Sequence, residues 1–456
     1  PNNPASPWMQ ATPPAVGLIR KLISGAQWYE AHAGIYVGLN QVYFVKILGK
    51  LPNSMLRITN PSEAGQKKKV KQIEAAIEPD LIYPLVMGED VKRWYVAFKD
   101  KYVIIPHDPA TGKPLSVGDL KVRYPNTYEY LAQYKEDLKK RSIKPFLSLR
   151  ERLKKMKGGF VEKELDEKFY IVDNIGQYTF APYKVVWKEI AGAITGKAIG
   201  FACAVVEPVV DKFLGARPVV PDHTSMLIGF NNPDEAYYVA GVLNSTPTRA
   251  VIASYTYELR QETHIADFVK IPKYDPNNGL HRKISELSRK AHEIAKEIYE
   301  KGRKDLEGEL KKVEDEIDLA VASLFGISED ELSELKRLLA ILSGGEPPEE
   351  EEAEVPEAPV INVLNTFLRP NEESYIEVDV VNPSNEEIAF TYELPWGKGS
   401  FSILEGKYKI PTPPLRPGKY KGVLRWVWRG KEGYLDVIIE VSEPVGPRRR
   451  KSLDVR

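Results

Sequence analysis

The stretch Val269–Leu342 constrains the fold more than any other part of the sequence, because it contains three consecutive apolar stripes. Apolar residues recur there every three or four positions, which places them on one face of an α-helix. Gly302 and Gly326 divide the pattern into three segments, and each segment predicts an amphipathic helix that packs against another part of the protein. The stripes consist of Leu280, Ile284, Leu287, Ala291, Ile294 and Ile298, then Leu310, Val313, Ile317, Ala320 and Leu324, and finally Leu332, Leu335, Leu338, Leu339 and Leu342.

The ends of these predicted helices carry capping residues. Asn277 and Asn278 precede the first stripe, and either side chain can accept hydrogen bonds from the free amides of the first turn. Gly302 follows the stripe as a candidate stop, since glycine readily adopts the left-handed conformation that often ends a helix. Ser328 and Glu331 have the spacing of a capping box, which predicts the start of the third helix.

The chain of 456 residues is long enough for two or three domains, since single cores rarely exceed about 300 residues. A linker is predicted at residues 344–359, where glycines, prolines and a run of glutamates cannot form a core. Residues 360–445 contain short alternating strands separated by glycine-containing turns, which is typical of an all-β immunoglobulin-like sandwich. Residues 446–456 form a basic tail.

Residues 15–275 mix predicted strands with predicted helices, which indicates a mixed α/β domain. The predicted fold is therefore an α/β domain, followed by a helical segment at residues 276–343 and the all-β sandwich. The strand candidates are Gln41–Leu48, Tyr102–Ile105, Phe169–Val172, Lys184–Trp187, Phe201–Val206 and Ser225–Phe230, and the helix candidates are Tyr124–Lys140 and Glu235–Asn244.

The formal net charge of zero conceals an uneven distribution. Residues 346–445 contain 19 acidic and 10 basic residues, whereas residues 1–345 contain 49 basic and 44 acidic residues. Within the second range, Lys135–Lys163 holds 11 basic residues against 4 acidic ones. A local concentration of positive charge of this kind attracts a phosphate backbone.

Cys203 is the only cysteine, which excludes intramolecular disulfides and cysteine-based zinc sites. The sequence contains no run of about 18 uncharged apolar residues and no basic-then-apolar signal at its N-terminus, so no membrane partner is expected. Together these features predict a cytoplasmic location. A high content of Lys and Glu is also typical of thermophilic proteins.

The sequence contains no complete catalytic motif that we recognise. Gly192–Ala198 is only distantly similar to a phosphate-binding loop, because its glycines are one residue too close and Ala198 replaces the magnesium-binding hydroxyl residue. No GxGxxG follows a predicted strand, and the Asn/Asp-Pro-Pro-aromatic signature of amino-group methyltransferases is absent. His281 and His292 share a helix face but lie roughly 16 Å apart, too far for one metal ion. We predict neither a catalytic residue nor a metal ligand in this chain.

One enzymatic alternative is a magnesium-dependent nuclease. Asp80, Asp90 and Lys92 fit the permissive pattern PD…(D/E)xK, in which carboxylates hold a divalent ion and a lysine orients the attacking water. The pattern is short, so that it also occurs by chance.

Four segments, taken in order, resemble one family of DNA-recognition modules. The segments are Ile77–Trp94 (IEPDLIYPLVMGEDVKRW), Tyr124–Arg141 (YPNTYEYLAQYKEDLKKR), Tyr183–Trp187 with Ala236–Ser245 (YKVVW and AYYVAGVLNS), and the helical stretch containing LHRKISELSRKAHE and EIDLAVASLFGISEDE. They are similar to the C-terminal target-recognition region of TaqI-like and type IIG adenine-specific DNA methyltransferases. That family belongs to restriction–modification and phage-defence systems.

The resemblance implies a sequence-specific DNA-binding (specificity) part that lacks its own cofactor and catalytic motifs. Double-stranded DNA and a methyltransferase domain or subunit are the expected partners. S-adenosylmethionine is expected in that partner or in a missing upstream domain, and no cofactor is expected in this chain. Methyl transfer would take place in the partner, on an adenine flipped out of the duplex. A further alternative is a non-catalytic assembly scaffold in a phage-defence complex.

Basic and polar side chains are the predicted DNA contacts, because they neutralise phosphates or read base edges. Trp94 and Trp187, in contrast, are interpreted as core residues rather than as base-stacking residues. The predicted DNA-binding residues are Arg93, Lys135, Lys139, Lys140, Arg141, Lys144, Lys154, Lys155, Arg260, Gln261 and His264.

Overall fold

The chain divides into two compact units between Pro348 and Glu349, within the predicted linker 344–359. The first unit is mixed α/β, and the described part of the second contains strands. The computed structural model describes residues 11–60, 70–148, 160–189, 201–255, 269–343, 359–382, 387–404, 406–429 and 431–442. No helix among these residues has the length and apolar character needed to cross a membrane.

The helices of the first unit range from single turns to 23 residues. Among the described residues, three short 3-10 turns accompany them at Pro79–Leu81, Gly88–Asp90 and Lys304–Leu306. The α-helices are α1 (Pro13–Ile23), α2 (Asn40–Tyr43), α3 (Val117–Arg123), α4 (Pro125–Ala132), α5 (Lys135–Lys139), α6 (Phe160–Glu167), α7 (Gln177–Phe180), α8 (Pro233–Asn244), α9 (Thr246–Tyr255), α10 (Gly279–Lys301), α11 (Glu307–Leu324) and α12 (Glu329–Leu342).

The strands of the first unit form two larger sheets and two short hairpins. The strands are β1 (His32–Ala33), β2 (Phe44–Lys50), β3 (Leu56–Thr59), β4 (Glu74–Ile77), β5 (Ile82–Val86), β6 (Val91–Lys92), β7 (Tyr95–Val96), β8 (Tyr102–Ile104), β9 (Tyr183–Lys188), β10 (Cys203–Val206), β11 (Val209–Asp211), β12 (Gly215–Arg217), β13 (Val220–Pro221) and β14 (Ser225–Phe230). The sheet orders are β1-β14-β9-β10 and β13-β5-β8-β2-β3-β4, and the hairpins are β6-β7 and β11-β12.

One hydrophobic core joins the four-stranded sheet to six helices. Trp187 of β9, Tyr238 of α8, Ile284 of α10 and Leu335 of α12 are all buried in it. The predicted boundary between residues 275 and 276 therefore does not separate two cores, because the amphipathic helices complete the core of the preceding α/β structure. A second core lies under the six-stranded sheet and α3–α5.

The capping predictions for the helical stretch are confirmed. Asn278 accepts a hydrogen bond of 2.9 Å from the Leu280 amide at the start of α10, and Gly302 ends the helix with φ of 67°. The Ser328 hydroxyl accepts from the Glu331 amide at 3.2 Å, and the Glu331 carboxylate accepts from the Ser328 amide at 2.9 Å. This reciprocal pair is the capping box of α12.

The strand predicted at Phe169–Val172 is wrong. The segment is buried, but it pairs with no strand. Side chains satisfy its backbone instead: Arg141 donates to the carbonyls of Phe169 and Ile171, and the Tyr43 hydroxyl donates to the Tyr170 carbonyl at 2.7 Å. The sequence pattern of a buried apolar segment does not reveal which groups hydrogen-bond to its backbone. A neighbouring strand and a buried arginine are both compatible with it.

The single helix predicted over Tyr124–Lys140 is present as the two helices α4 and α5. The interruption falls at Gln133 and Tyr134. The Tyr134 hydroxyl donates a hydrogen bond of 2.6 Å to the Lys71 carbonyl, so that this tyrosine joins the helical layer to the segment before β4.

The second unit contains a three-stranded sheet and a five-stranded sheet with one shared core. Val378 and Ile410 come from the first sheet, and Phe390, Leu424 and Ile439 come from the second. This arrangement is consistent with a sandwich. The strands are β15 (Val360–Leu364), β16 (Phe367–Leu368), β17 (Ser374–Val381), β18 (Ile388–Leu394), β19 (Gly397–Ile403), β20 (Gly406–Thr412), β21 (Gly418–Trp428) and β22 (Lys431–Val441), in the orders β15-β17-β20 and β16-β22-β21-β18-β19.

Candidate nucleic-acid interface

Arg93 and Trp94, at the end of the first family-like segment, both contact Glu314 of α11. Arg93 Nη1 lies 2.8 Å from Glu314 Oε1, and Trp94 Nε1 donates a hydrogen bond of 2.7 Å to the same oxygen. Arg93 Nη2 also donates to the Asn244 carbonyl at 2.9 Å. Only 25% of the Arg93 side chain is exposed. Because its charge is paired inside the unit, we withdraw Arg93 from the predicted DNA contacts.

The third and fourth family-like segments meet close to this pair. The Asn244 side chain donates to the Cys203 carbonyl at 2.8 Å and accepts from the Cys203 amide at 3.0 Å. Asp318 Oδ1 accepts a hydrogen bond of 2.7 Å from the Thr246 amide. Burial raises the pKa of Asp318, while the hydrogen bonds from Thr246 lower it. These residues hold distant parts of the chain together, so their role is structural.

The residues of the nuclease alternative have separate surroundings. Asp90 is 1% exposed, and its Oδ1 lies 2.5 Å from Lys99 Nζ. Lys92 Nζ instead lies 4.2 Å from the ring centroid of Tyr299, and Asp80 is exposed. Within the described ranges, no group of three or more His, Cys, Asp or Glu residues could hold a metal ion. Asp90 is thus paired with Lys99, whereas the nuclease pattern requires Lys92.

The predicted lysines of α5 and its end are on the surface, and two of them share an acidic partner. Lys135 Nζ lies 3.3 Å and Lys139 Nζ lies 2.8 Å from the carboxylate of Asp166 in α6. The hydrogen bond from Lys139 lowers the pKa of Asp166. Lys140 lies 3.8 Å from Asp137, and 71% of its side chain is exposed. Part of the predicted positive charge is therefore neutralised by α6, whereas Lys140 remains accessible.

Arg141 lies inside the protein. It is 1% exposed, and burial lowers the pKa of its guanidinium from the usual value. The guanidinium donates to four backbone carbonyls, those of Leu138 at 2.9 Å, Val37 at 2.5 Å, Phe169 at 2.6 Å and Ile171 at 2.9 Å. A side chain whose donors are used in this way cannot reach a DNA phosphate, and we withdraw Arg141 from the predicted contacts.

Lys144 is exposed and stays a predicted contact. Its backbone amide donates to Asp173 at 3.1 Å, which fixes the main chain at this point. The remaining predicted contacts, Lys154, Lys155, Arg260, Gln261 and His264, lie outside the described residues. Trp94 and Trp187 are 1% and 0% exposed, which confirms their interpretation as core residues.

The open face of β2, β3 and β4 carries two exposed cations, Lys46 and Arg57, that sequence patterns did not identify. Lys46 is opposite Thr59, and Thr59 is opposite Glu74, so the three residues form one row across the strands. Arg57 lies on the same face of β3, two residues from Thr59. Lys46 and Arg57 are exposed, and no carboxylate of the described residues lies within ion-pair distance of either one. We name this surface, with the exposed Leu48, the β2–β4 face.

A cavity of about 410 Å³ lies beside His107. His107 in its wall is buried and structural, because its Nε2 accepts from the Val172 amide at 3.1 Å and its Nδ1 lies 3.0 Å from the Gly112 carbonyl. Burial lowers the pKa of His107 to about 4. The other polar residues that line the cavity include Lys113, Glu164, Lys168, Asp173 and Asn174.

No family model matches this chain, and no curated protein matches it. Among solved structures, it is similar to the PKD domain of the human VPS10 domain-containing receptor SorCS2. That similarity covers 20% of this chain and 75% of the PKD domain, at 15% sequence identity and a TM-score of 0.16. A TM-score this low supports no conclusion about fold or function.

Proposed function

We propose that the first unit is the DNA-recognition (specificity) part of an adenine-specific DNA methyltransferase of restriction–modification or phage-defence type. The methyl-transfer site and S-adenosylmethionine would belong to a partner domain or subunit. In this proposal residues 15–343 form one target-recognition module, because the helices after residue 275 complete its core. The second unit is an immunoglobulin-like sandwich for further protein contact, and the location is the cytoplasm.

The contacts between the family-like segments support the module. Arg93, Glu314 and Asn244 come from three of the four segments and are joined by an ion pair and a hydrogen bond, and Asp318 binds the amide of Thr246 just after the third segment. In this proposal the residues of the family-like segments hold the module together, and other side chains on its surface contact the DNA. Such a division between framework and contact is expected where recognition varies while the scaffold stays the same.

The observation that carries the DNA-binding proposal is the β2–β4 face. Lys46 and Arg57 project from a strand layer whose opposite side is buried, so the backbone beneath them is rigid. Neither side chain forms an ion pair with a described carboxylate, whereas Lys135 and Lys139 both pair with Asp166. Cations of this kind are available to displace counterions from DNA phosphates.

The test is fluorescence-anisotropy titration of a labelled duplex with the full chain, over a series of salt concentrations. We expect binding that weakens steeply as salt rises. The double variant Lys46→Gln/Arg57→Gln should weaken binding and reduce the salt slope by about two, one for each phosphate that the variant no longer neutralises. The double variant Lys135→Gln/Lys140→Gln tests the contacts that the sequence predicts in the same way.

A matched control removes two exposed charges that are already paired on α10. Lys290 lies 3.3 Å from Glu309, and Lys301 lies 2.7 Å from Glu297. The variant Lys290→Gln/Lys301→Gln should leave the salt slope unchanged. Absence of duplex binding at low salt, both alone and with a methyltransferase partner, would overturn the proposed function. Binding that Lys46→Gln/Arg57→Gln leaves intact would instead remove the β2–β4 face from it.

A further inference from the structure

Trp28 is an indole that the fold leaves in solvent. It is 56% exposed, whereas Trp94, Trp187 and Trp428 are 1%, 0% and 4% exposed. Tryptophan carries the largest apolar surface of any side chain, and burial normally removes most of that surface from water. Exposure on this scale therefore marks a residue available to a ligand, provided that its position is fixed.

The backbone around Trp28 is fixed from both sides. The Gln27 side chain donates to the Tyr29 carbonyl at 2.6 Å and accepts from Lys270 Nζ at 2.9 Å. Tyr29 is 7% exposed, and its hydroxyl accepts from the Tyr274 amide at 2.9 Å. Both neighbours of Trp28 are thus tied to the segment that contains Lys270 and Tyr274. A ligand would meet an indole on a backbone that the fold has already ordered.

Positive charge accompanies the indole. Lys273 Nζ lies 5.4 Å from the Trp28 ring centroid, and the Lys273 side chain is exposed. Lys270, three residues earlier, donates to the side chain of Gln27, the residue before Trp28. An exposed aromatic ring beside an ammonium group is found in single-stranded nucleic-acid sites, where the ring stacks on a base and the cation meets a phosphate.

We propose that Trp28, with Lys273, forms a stacking site for an unpaired nucleobase of the DNA that the first unit binds. A paired base is not a suitable ligand, because its two faces are already covered by neighbouring bases in the duplex. A base at a single-stranded end, in a bulge, or extruded from the helix has a free face. This inference rests on the proposed function, which supplies DNA as the ligand. The stacking site adds a preference for DNA with an unpaired base, which phosphate contacts alone do not provide.

The experiment uses the full chain and two labelled DNAs: a blunt duplex, and the same duplex with an unpaired extension. We expect the wild-type chain to bind the extended DNA more tightly than the blunt duplex. Trp28→Ala should lose roughly tenfold in affinity for the extended DNA and little for the blunt duplex. Trp28→Phe should retain most of the preference, since a phenyl ring still stacks, and Lys273→Gln should reduce the salt slope by about one.

Tyr434→Ala is the matched control, because Tyr434 is an exposed aromatic residue of the second unit at 62%. This variant should behave as the wild-type chain with both DNAs. Equal affinity of wild-type and Trp28→Ala chains for the extended DNA would overturn the stacking site, and would favour a protein partner for the indole. Equal losses with both DNAs would also overturn it, since they indicate a duplex contact. Failure of the proposed function is distinguishable, because the wild-type chain would then bind neither DNA.

Discussion

The carboxylate of Glu314 lies 2.8 Å from the guanidinium of Arg93, and this ion pair joins α11 to the loop between β6 and β7. The same carboxylate accepts the indole N–H of Trp94. Glu314→Gln should destabilise the first unit by about 2 kcal/mol, because it leaves the partly buried guanidinium without its counter-charge. The midpoint of urea unfolding, followed by the fluorescence of the buried tryptophans, measures the loss.

Glu309→Gln in the same helix is the control for this prediction. Glu309 lies 3.3 Å from Lys290, and both side chains are about half exposed, at 47% and 51%. A surface pair contributes at most about 1 kcal/mol, so this variant should unfold close to the wild-type midpoint. Equal effects of the two substitutions would contradict a structural role for the Arg93–Glu314 pair.

Arg141→Met should destabilise the first unit by about 3 kcal/mol or more. Methionine fills much of the same space, but the carbonyls of Val37, Phe169 and Ile171 lose their hydrogen bonds from the guanidinium. Hydrogen exchange of the amides of residues 169–172 should accelerate, because Arg141 holds that segment in place of a partner strand. Lys140→Gln, one residue away and 71% exposed, should leave both stability and exchange close to wild type. A stable Arg141→Met chain would show that water can replace the guanidinium.

The first unit should lose stability in mild acid because of two buried histidines. Burial lowers the pKa values of His107 and His292 to about 4, from an ordinary value of 6.5. Between these values the unfolded chain binds protons that the folded chain does not, so stability is complete above pH 6.5 and falls as the pH drops towards 4. Each histidine should lower the unfolding free energy by about 2 kcal/mol as the pH falls from 6.5 to 5.

His292→Gln provides the test of this pH dependence. Its amide oxygen can still accept from the Val205 amide, which donates to His292 Nε2 at 2.8 Å. The variant should therefore fold, and the slope of unfolding free energy against pH should decrease. An unchanged slope in His292→Gln would assign the acid sensitivity to other groups.

The stability of the first unit should increase with pH above 7 because of the buried Lys184. It is 0% exposed, and burial lowers its pKa from 10.5 to about 7. The unfolded chain then binds more protons than the folded chain between pH 7 and 10.5, so the unfolding free energy increases with pH in that window. Between pH 7 and 9 the increase should be about 2 kcal/mol.

Lys184→Met removes the titrating group and should abolish this rise. The variant should also be more stable than wild type at pH 7, because no buried amine is left to protonate. The gain is limited by the Ala181 carbonyl, which loses the hydrogen bond from Lys184 Nζ. Urea unfolding at pH 7 and pH 9 checks both statements, and equal slopes for the two chains would contradict them.

Local patterns were sufficient to predict the helical stretch. Asn278, Gly302, Ser328 and Glu331 act within one turn of their own helices, so their roles depend on nearby residues alone. The division of the chain between Pro348 and Glu349 falls within the segment whose composition predicts a linker. The burial of Trp94 and Trp187 followed from their size and apolar character.

The predicted DNA-binding residues were less reliable, since the same residue type serves two purposes. Arg141 and Lys140 are adjacent and both basic, yet one satisfies buried carbonyls and the other extends into solvent. The carbonyls of Phe169 and Ile171, which decide this, lie about thirty residues further along the chain. In the same way, Asp166 neutralises Lys135 and Lys139 only because α6 packs beside α5.

The sequence by itself determined the caps, the amphipathic stripes and the division between two units, because these follow from short-range periodicity and composition. Only the tertiary structure decided which cations are free. The free energy of a charged side chain depends on which groups surround it, and those groups come from distant parts of the chain. For this reason Arg93 and Arg141 belong to the framework, whereas Lys46, Arg57 and Trp28 are exposed.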